Sequence, residues 1–401
     1  MQPALGYEGA PQTLGEPGTA ILEDVRLKGC IQCGTCGGVC PFGYLMAYPP
    51  IRMLSAVRSE SFQRAVASDD IWMCVACSAC TSACPVQLPL TANLMTRVKE
   101  ELLLAGNVPA ELQEALENSQ RYGNPLGESP RKRTDWMRGI ESLVPIMGRD
   151  KRQAEVLWFV GDYASYHPRV QPASRTLALV LNRLKVDFAI LGTDENSDGD
   201  SQRLAGERGL FELLAEKNAR VFRKYRFSRI ITTDPHAYNA LKNEYPQLGI
   251  TYPVQHYTEF LAERLDVLRP QLKRELNKTV TYHDPCYLGR VNEIYEAPRQ
   301  LLQAIPGLKL VEMPHNRKNG LCCGGGGGGM WMDGFQWEKA HIRLSEWRVQ
   351  EALLVGADLL AIACPYEAPR FEDATKTVRQ AEGLLVRDVV ELLSDAMESP
   401  V

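Results

Sequence analysis

The sequence predicts an α + α/β protein in which a helical N-terminal domain precedes two pseudo-symmetric copies of one α/β unit. Three observations support this prediction. Two cysteine-rich segments of identical form lie before residue 86, and the residues between them have helical spacing. From residue 155 onward, strand-like and helix-like segments alternate, and their pattern occurs twice. With 401 residues, 45% of them hydrophobic, the chain can bury two or three domain cores.

Composition and charge exclude several classes of function. The formal net charge of −4 is spread over the chain, which lacks the basic face that nucleic-acid binding requires. The short basic run over 131–133 is expected to be a solvated linker, or else a docking point for an acidic partner or a membrane surface. The longest apolar stretch, over 352–364, is interrupted and falls short of the roughly 18 residues of a membrane span. Residues 1–20 lack the basic start and apolar core of a secretory signal.

The twelve cysteines are the most informative residues. We expect a cytoplasmic protein, and a reducing compartment disfavours structural disulfides and favours metal ligation or redox chemistry. Eight cysteines fall in two segments of the form C-x-x-C-x-x-C-x-x-x-C-P, namely CIQCGTCGGVCP over 30–41 and CVACSACTSACP over 74–85. The other four are Cys286, Cys322, Cys323 and Cys364.

The two N-terminal motifs predict two [4Fe–4S] clusters. Three cysteines spaced two residues apart grip one face of an iron–sulfur cube, and the fourth, before proline, reaches the other cube. A zinc site needs neither the third cysteine nor the proline. The predicted ligands of the first cluster are Cys30, Cys33, Cys36 and Cys84, and those of the second are Cys74, Cys77, Cys80 and Cys40.

The segment between the motifs has apolar residues at helical spacing, and a second helix is predicted over 90–106, ending at Gly106. Helical spacers distinguish this domain from a small bacterial ferredoxin. The arrangement resembles the double-cluster domain of the heterodisulfide reductase C subunit and of succinate dehydrogenase-type iron–sulfur subunits. This resemblance implies that the domain relays electrons.

The chain divides into five expected parts. A polar stretch with scattered Gly and Pro marks the boundary between the N-terminal domain and the α/β region. The parts are a flexible tail over 1–22, a helical double-[4Fe–4S] ferredoxin-like domain over 23–106, a linker over 107–150, a cysteine-free α/β unit over 151–275 and a cysteine-bearing α/β unit over 276–401.

Each α/β unit is predicted from alternating strands and helices. Strands are expected over 155–162, 186–192 and 228–234 in the first copy and over 278–286, 308–313 and 357–364 in the second. Predicted helices cover 171–185, 205–222, the segment from about 237, 293–305 and 338–356. Aligning the strand ends places Asp162 opposite Cys286, Asp198 opposite Cys323 and Asp234 opposite Cys364. Parallel α/β sheets bind their ligands at these ends.

The second copy contains the segments YHDPCYLGR, GLCCGGGG and ACPY. These resemble the cysteine-rich (CCG) domain of heterodisulfide reductase B and D subunits and of relatives in glycolate and lactate oxidase complexes and in dissimilatory sulfite reductase-linked membrane complexes. A double-cluster domain followed by two CCG units is the D-type layout of this family. The resemblance implies a non-cubane [4Fe–4S] cluster that binds or cleaves a disulfide, held by five cysteines per copy.

This chain departs from that pattern in both copies. The first copy has no cysteine, and the second has four, with Glu367 where the fifth would stand. The metal ligands implied are Cys286, Cys322, Cys323 and Cys364. A cluster with several irons suits the vicinal Cys322 and Cys323, whereas four thiolates also suit a structural zinc ion. Buried inert thiols are the third alternative.

The catalytic residues expected at this site are Cys322, Cys323, Glu367 and His283. Glu367 has three open roles, as an oxygen ligand, a proton donor or an exposed side chain. His283 lies three residues before Cys286. It either donates to a cluster sulfur and so tunes the redox potential, or carries a proton to a thiolate, or is a hydrogen-bonded packing residue. Gly324 is expected at positive φ, and Gly325–Gly329 as open backbone or loop slack beside the metal.

Other polar residues near strand ends are open to two interpretations. His236 is expected to pack or to support the site, and His167 and His315 lie near strand ends or the cysteine loop. Asp162, Asp198 and Asp234 either form a hard-cation site or mark a lost metal site with the fold retained.

The expected function is that of an iron–sulfur subunit of a multi-subunit oxidoreductase. Electrons pass between the two N-terminal clusters and the C-terminal site, where disulfide–thiol chemistry is one outcome. The alternative is a non-catalytic module that links a flavoprotein or other dehydrogenase to a quinone-reactive, cytochrome b-type membrane subunit. In either case the partners are redox subunits, and the protein attaches to the inner face of the membrane only through them. The glycine tract lacks the Lys-Ser/Thr of a phosphate-binding loop.

Overall fold

The computed structural model describes residue 21, residues 25–59 and residues 61–398. The tail expected over 1–22 lies, apart from Ile21, outside these residues. The fold class is confirmed, because a helical N-terminal part precedes two four-stranded parallel sheets. In the part of the chain described, no helix is long and apolar enough to cross a membrane.

The N-terminal part consists of short helices joined by the cysteine loops. Its apolar side chains form one core with Met53, Trp72 and Leu94 near the centre, each at most 1% exposed. A π-helix over Leu90–Met95 leads into the last helix, so the segment predicted as one helix has two helical forms. The α-helices are Val25–Lys28, Thr35–Gly38, Pro50–Val57, Phe62–Val66, Ala79–Ser82 and Thr96–Leu104.

The segment over 107–150 is folded and packs on the α/β region. It contains the helix Ala110–Tyr122 and 3-10 turns at Pro130–Met137 and Glu141–Leu143. The Trp136 ring is buried and meets Trp158 of the first sheet at 5.3 Å. Scattered Gly and Pro residues in this segment therefore mark turns between ordered elements.

The first sheet has the strand order β2-β1-β3-β4, with all neighbours parallel. Its strands are β1 (Gln153–Phe159), β2 (Phe188–Ile190), β3 (Arg226–Thr232) and β4 (Val254–His256). Its α-helices are Asp162–Tyr166, Gln171–Arg183, Asp200–Leu204, Arg208–Phe222, Pro235–Asn239, Tyr257–Ala262 and Leu265–Leu268. The helix predicted over 205–222 begins at Arg208, because Gly206 before it has a φ of 99°.

The second sheet repeats this topology as β6-β5-β7-β8. Its strands are β5 (Lys278–Tyr282), β6 (Leu308–Leu310), β7 (Leu359–Ile362) and β8 (Leu385–Asp388). Its α-helices are Glu296–Gln303, Asp333–Ala340, Leu344–Leu354, Glu367–Thr377 and Val389–Asp395. The segment predicted as one helix over 338–356 is two, because His341 takes a left-handed conformation at φ 51°. The identical strand order agrees with an internal repeat.

The two α/β units share one hydrophobic core. Val156 and Trp158 of β1 belong to the same buried cluster as Val280 of β5 and Leu360 of β7. The core of the N-terminal part extends to Cys322 of the second unit. The loop carrying that cysteine is therefore enclosed between the N-terminal part and the second sheet.

Candidate functional site

The two N-terminal cysteine loops have the same unusual backbone. In the first motif Gln32 and Gly34 have positive φ values of 58° and 79°, and in the second Ala76 and Ser78 have values of 49° and 59°. Residues with a Cβ are strained in this conformation and persist where the surroundings require it. The left-handed residues give both loops the tight turns between cysteines that ligation of one cluster by three of them requires.

The cysteines form two groups, and each group takes one member from the other motif. Burial, followed by the charges of Cys30 and Cys84, raises the pKa of Cys36 to about 11. Burial and the charges of the second motif raise the pKa of Cys40, and the three contributing thiols are Cys74, Cys77 and Cys80. Cys36 lies in turn close enough to Cys80 for their charges to interact. The groups are therefore neighbours.

Exposure differs between the two groups. Cys33 is exposed, and its Sγ is 3.3 Å from the Thr35 hydroxyl. In the second group Cys77 and Cys80 are buried, with Cys80 Sγ 3.5 Å from the Thr91 hydroxyl. The first group is thus the one nearer to solvent.

The four C-terminal cysteines follow the carboxyl ends of three adjacent strands. Cys286 lies beyond β5, Cys322 and Cys323 beyond β6, and Cys364 beyond β7. Cys322 hydrogen-bonds both Cys286 and Cys323, which raises the pKa of Cys322. Burial, Glu367 and nearby charges including Cys323 raise the pKa of Cys364. The turn of Gly324, at φ 87°, lets the amides of Gly324 and Gly325 donate to the sulfurs of Cys322 and Cys323 at 3.2 and 3.4 Å.

His283 and Glu367 meet Cys323 in the same pocket. Ligand atoms of these three buried residues lie within 4.8 Å of one another, and His283 Nε2 is 3.3 Å from Glu367 Oε1. Arg348 Nε donates to His283 Nδ1 at 3.1 Å, so the proton of a neutral ring is on Nε2, facing the site. Burial raises the pKa of Glu367 to about 7. The alternative that Glu367 is an exposed side chain is wrong, because it is 1% exposed.

The glycine tract is covered and not open. All residues from Gly324 to Gly329 are buried. A Cβ at Gly326 would lie 2.7 Å from the Val75 carbonyl oxygen, and one at Gly327 would lie 3.0 Å from that of Cys74. The expectation of open backbone or loop slack is therefore wrong. The glycines permit close contact between the second cysteine motif and the Cys322–Cys323 loop.

Charged side chains fill the corresponding region of the first unit. Arg133 donates to Asp162 at 2.7 Å and to Glu195 at 2.8 Å, with all three side chains at most 3% exposed. The basic run over 131–133 is thus only in part a solvated linker. Burial, followed by the charges of Asp234, Asp200 and Asp162, raises the pKa of Asp198, so these aspartates lie near one another. Among them Asp162 is neutralised by the internal guanidinium of Arg133.

The other histidines singled out in the sequence lie outside the group of His283, Cys323 and Glu367, and His236 is beside the turn that carries Cys286. His236 Nδ1 is 2.8 Å from Asp200 Oδ2, and its ring lies 4.4 Å from that of Tyr287. His167 stacks on Tyr163, and His315 is exposed and paired with Glu351. His236 therefore supports the boundary between the two units.

Sequence reasoning missed several buried cations, of which Lys99 lies beside the second cysteine motif and Arg133 lies in the first α/β unit. Lys99, Arg133 and Arg348 are each at most 2% exposed. Arg133 and Lys99 resemble ordinary surface charges in the sequence, because a single Lys or Arg in one sequence does not reveal whether its side chain is buried. Arg290 ends the YLGR segment that follows Cys286, and its position beside the cysteines is the one signal that could have singled it out.

Comparison with known proteins agrees with this geometry. A model of the 4Fe-4S dicluster domain matches residues 26–88, and one of the cysteine-rich domain matches residues 280–366. The D-type subunit of the dihydromethanophenazine:CoB--CoM heterodisulfide reductase of Methanosarcina mazei is 30% identical over 336 residues, covering 82% of this chain and 78% of the relative. The chain belongs to the family of D-type heterodisulfide reductase subunits.

Other relatives widen the family's range. The probable iron-sulfur-binding oxidoreductase FadF of Bacillus subtilis is 38% identical over 83% of this chain and 47% of its own length. The EtfAB:quinone oxidoreductase of Syntrophomonas wolfei is 34% identical with the same coverage. This member of the family thus spans about half the length of these two proteins. Relatives named as oxidoreductases agree with the expected enzyme class.

Proposed function

We propose that this chain is the electron-relay subunit of an oxidoreductase complex, with two [4Fe–4S] clusters and a third iron–sulfur cluster at its C-terminal cysteines. The contact between Cys77 and Cys322 carries this proposal. Cys77 and Cys322 belong to one buried cluster, and hydrogen bonding to Cys322 lowers the pKa of Cys77, so a ligand of the second cluster adjoins a ligand of the third site. With the neighbouring Cys36 and Cys80, three centres follow one another through the protein.

The donor set at the third site supports a cluster better than zinc. A tetrahedral zinc ion is complete with four thiolates. Here the buried Glu367 adds a carboxylate beside Cys323, and its Oε2 has no hydrogen-bond partner. A buried carboxylate oxygen without a partner is costly, so it is suited to a metal ligand or a proton carrier. We assign Glu367 the fifth ligand position, with His283 orienting it. An iron–sulfur cluster held by these residues would store and pass on single electrons.

The first cluster is proposed as the end that exchanges electrons with a partner. Its ligand Cys33 is exposed, and Ile31 and Tyr44 nearby are 62% and 65% exposed. A contiguous patch of exposed apolar side chains marks a contact surface, and we propose that these two side chains belong to one. The relative named EtfAB:quinone oxidoreductase supports a flavoprotein and a quinone-reactive membrane subunit as the two partners.

Disulfide–thiol chemistry at the third site is the second candidate. The vicinal Cys322 and Cys323 favour it, as does a proton source in His283 and Glu367, and the relative from Methanosarcina mazei is named a heterodisulfide reductase subunit. Reduction of a disulfide takes two electrons from the relay and two protons, and releases two thiols. The enclosed glycine tract opposes it, because the Cys322–Cys323 loop faces protein and not solvent.

Electron paramagnetic resonance separates the two candidates. The oxidised protein is incubated with a small thiol, and spectra are compared before and after. The relay function predicts that no new signal arises from the third site. A thiol-induced signal that is lost in a Cys323→Ser variant would favour the disulfide reaction.

A further inference from the structure

The loop Cys74–Cys77 is held by hydrogen bonds to three of its four carbonyl oxygens. Lys99 Nζ donates to Cys74 O at 2.6 Å, Tyr287 Oη to Ala76 O at 3.0 Å, and Arg290 Nη1 to Cys77 O at 2.7 Å. The fourth carbonyl, of Val75, faces the backbone of Gly326. Three carbonyls of this loop are thus hydrogen-bonded by side chains of other elements, and the fourth is packed against the glycine tract.

These donors also hold the C-terminal loop. Lys99 is 1% exposed, and its ammonium donates a second hydrogen bond to Gly327 O at 2.9 Å. Arg290 donates further to the carbonyls of Lys318 and Gly320, just before Cys322. Each cation therefore bridges the second cysteine motif and the segment that carries Cys322.

Tyr287 and Arg290 belong to the turn that begins with Cys286. Because Cys286 is itself a proposed ligand, this turn provides one ligand of the third site and two donors to the loop of the second. Removing one partner of such buried hydrogen bonds leaves a polar group without a partner, which destabilises the contact between the two loops.

We infer that Lys99, Tyr287 and Arg290 are positioning residues that fix the Cys74–Cys77 loop against the Cys322–Cys323 loop. They set the distance between the second cluster and the third site. The effect of these residues on electron transfer rests on the proposed function, whereas their effect on the packing of the two loops does not.

Hydrogen–deuterium exchange of the full-length protein tests the structural consequence. In Arg290→Met and Tyr287→Phe variants, peptides covering 74–80 and 320–330 are expected to exchange about tenfold faster than in the wild type, through local opening. Tyr287→Phe removes one hydroxyl and retains the ring, so this variant is expected to fold. It therefore tests the inference even if the Arg290→Met variant does not fold. Arg317→Met is the matched control, since Arg317 is 40% exposed and contacts neither loop's cysteines. Unchanged exchange at both loops in Tyr287→Phe would overturn the inference.

The redox consequence is measured on the same variants. The variants and the wild type are reduced with dithionite and frozen rapidly at a series of times. In the variants, reduction of the third site is expected to lag behind that of the second cluster by more than it does in the wild type, while the iron content stays at the wild-type level. Equal rates in the Tyr287→Phe variant and the wild type would refute this role of the donors. A wild-type protein that holds zinc at the third site would refute the proposed function, and the exchange result would still decide the inference.

Discussion

The sulfur of Cys77 in the second N-terminal motif is hydrogen-bonded to the sulfur of Cys322 in the C-terminal unit. The two residues come from different domains, and both are buried. A direct contact between proposed ligands of successive clusters removes any need for an intervening carrier. The buried cation Lys99 and the glycine tract hold the two loops at this separation.

The fourth cysteine of each motif is a proposed ligand of the cluster that the other motif holds. This pairing predicts which cysteine substitutions affect the same cluster. Cys40→Ser and Cys77→Ser are expected to change the same one of the two reduced N-terminal signals in electron paramagnetic resonance, because both residues belong to one group. Cys33→Ser should change the other signal. The assignment is wrong if Cys40→Ser and Cys33→Ser affect one signal together.

Substitution of the buried carboxylate tests its role at the third site. Glu367→Gln retains the shape but not the charge, and we expect a chelator to remove metal from this site at least about tenfold faster. The N-terminal clusters should be unaffected. Glu372→Gln, in the same helix but paired with Arg169 and partly exposed, is the control. Equal metal loss from both variants would exclude Glu367 as a ligand.

The internal guanidinium of the first unit predicts a large stability difference between neighbouring basic residues. Arg133→Met leaves Asp162 and Glu195 buried without their partner, which costs about 3–5 kcal/mol. Arg131→Met changes an exposed side chain and should have almost no effect. Chemical denaturation monitored by circular dichroism measures both. Similar midpoints for the two variants would show that the buried network is dispensable.

The pair of His236 and Asp200 predicts a pH dependence of stability. Burial alone lowers the pKa of His236, but the hydrogen bond and charge of Asp200 outweigh it and raise the pKa from 6.5 to about 9. The stabilisation is therefore complete below pH 6.5 and is lost as the pH rises toward 9, by at most about 3 kcal/mol.

Thermal melts of the wild type and of a His236→Gln variant check this pH dependence. The wild-type advantage in Tm should shrink between pH 6.5 and 9. A constant difference across that range would contradict a protonated His236.

Much of the fold followed from local patterns in the sequence. Six of the eight described strands and the long helices Gln171–Arg183 and Arg208–Phe222 were predictable because their apolar runs and spacing are strong, whereas the helix Glu367–Thr377 was not predicted. The edge strands β4 (VQH) and β8 (LVRD) were not predicted, since polar or charged residues make up half or more of each. The break at His341 depends on a left-handed residue that no composition signal announces.

The candidate site was predictable as a set of residues but not as an arrangement. Cysteine spacing indicated which thiols group together, because short loops limit where they can reach. It carried no information on the contact of Cys77 with Cys322, which depends on how two domains dock. For the same reason the glycine tract was misinterpreted, since its partner Val75 lies far away in sequence.

Metal analysis of the purified full chain tests the central claim most directly. Three iron–sulfur clusters predict about twelve irons per chain, a similar amount of acid-labile sulfide and no bound zinc. Cys322→Ser should lower the iron content by about four while the N-terminal signals persist. A content of about eight irons with one zinc per chain, the zinc being lost in Cys322→Ser, would contradict an electron relay that ends at the C-terminal cysteines.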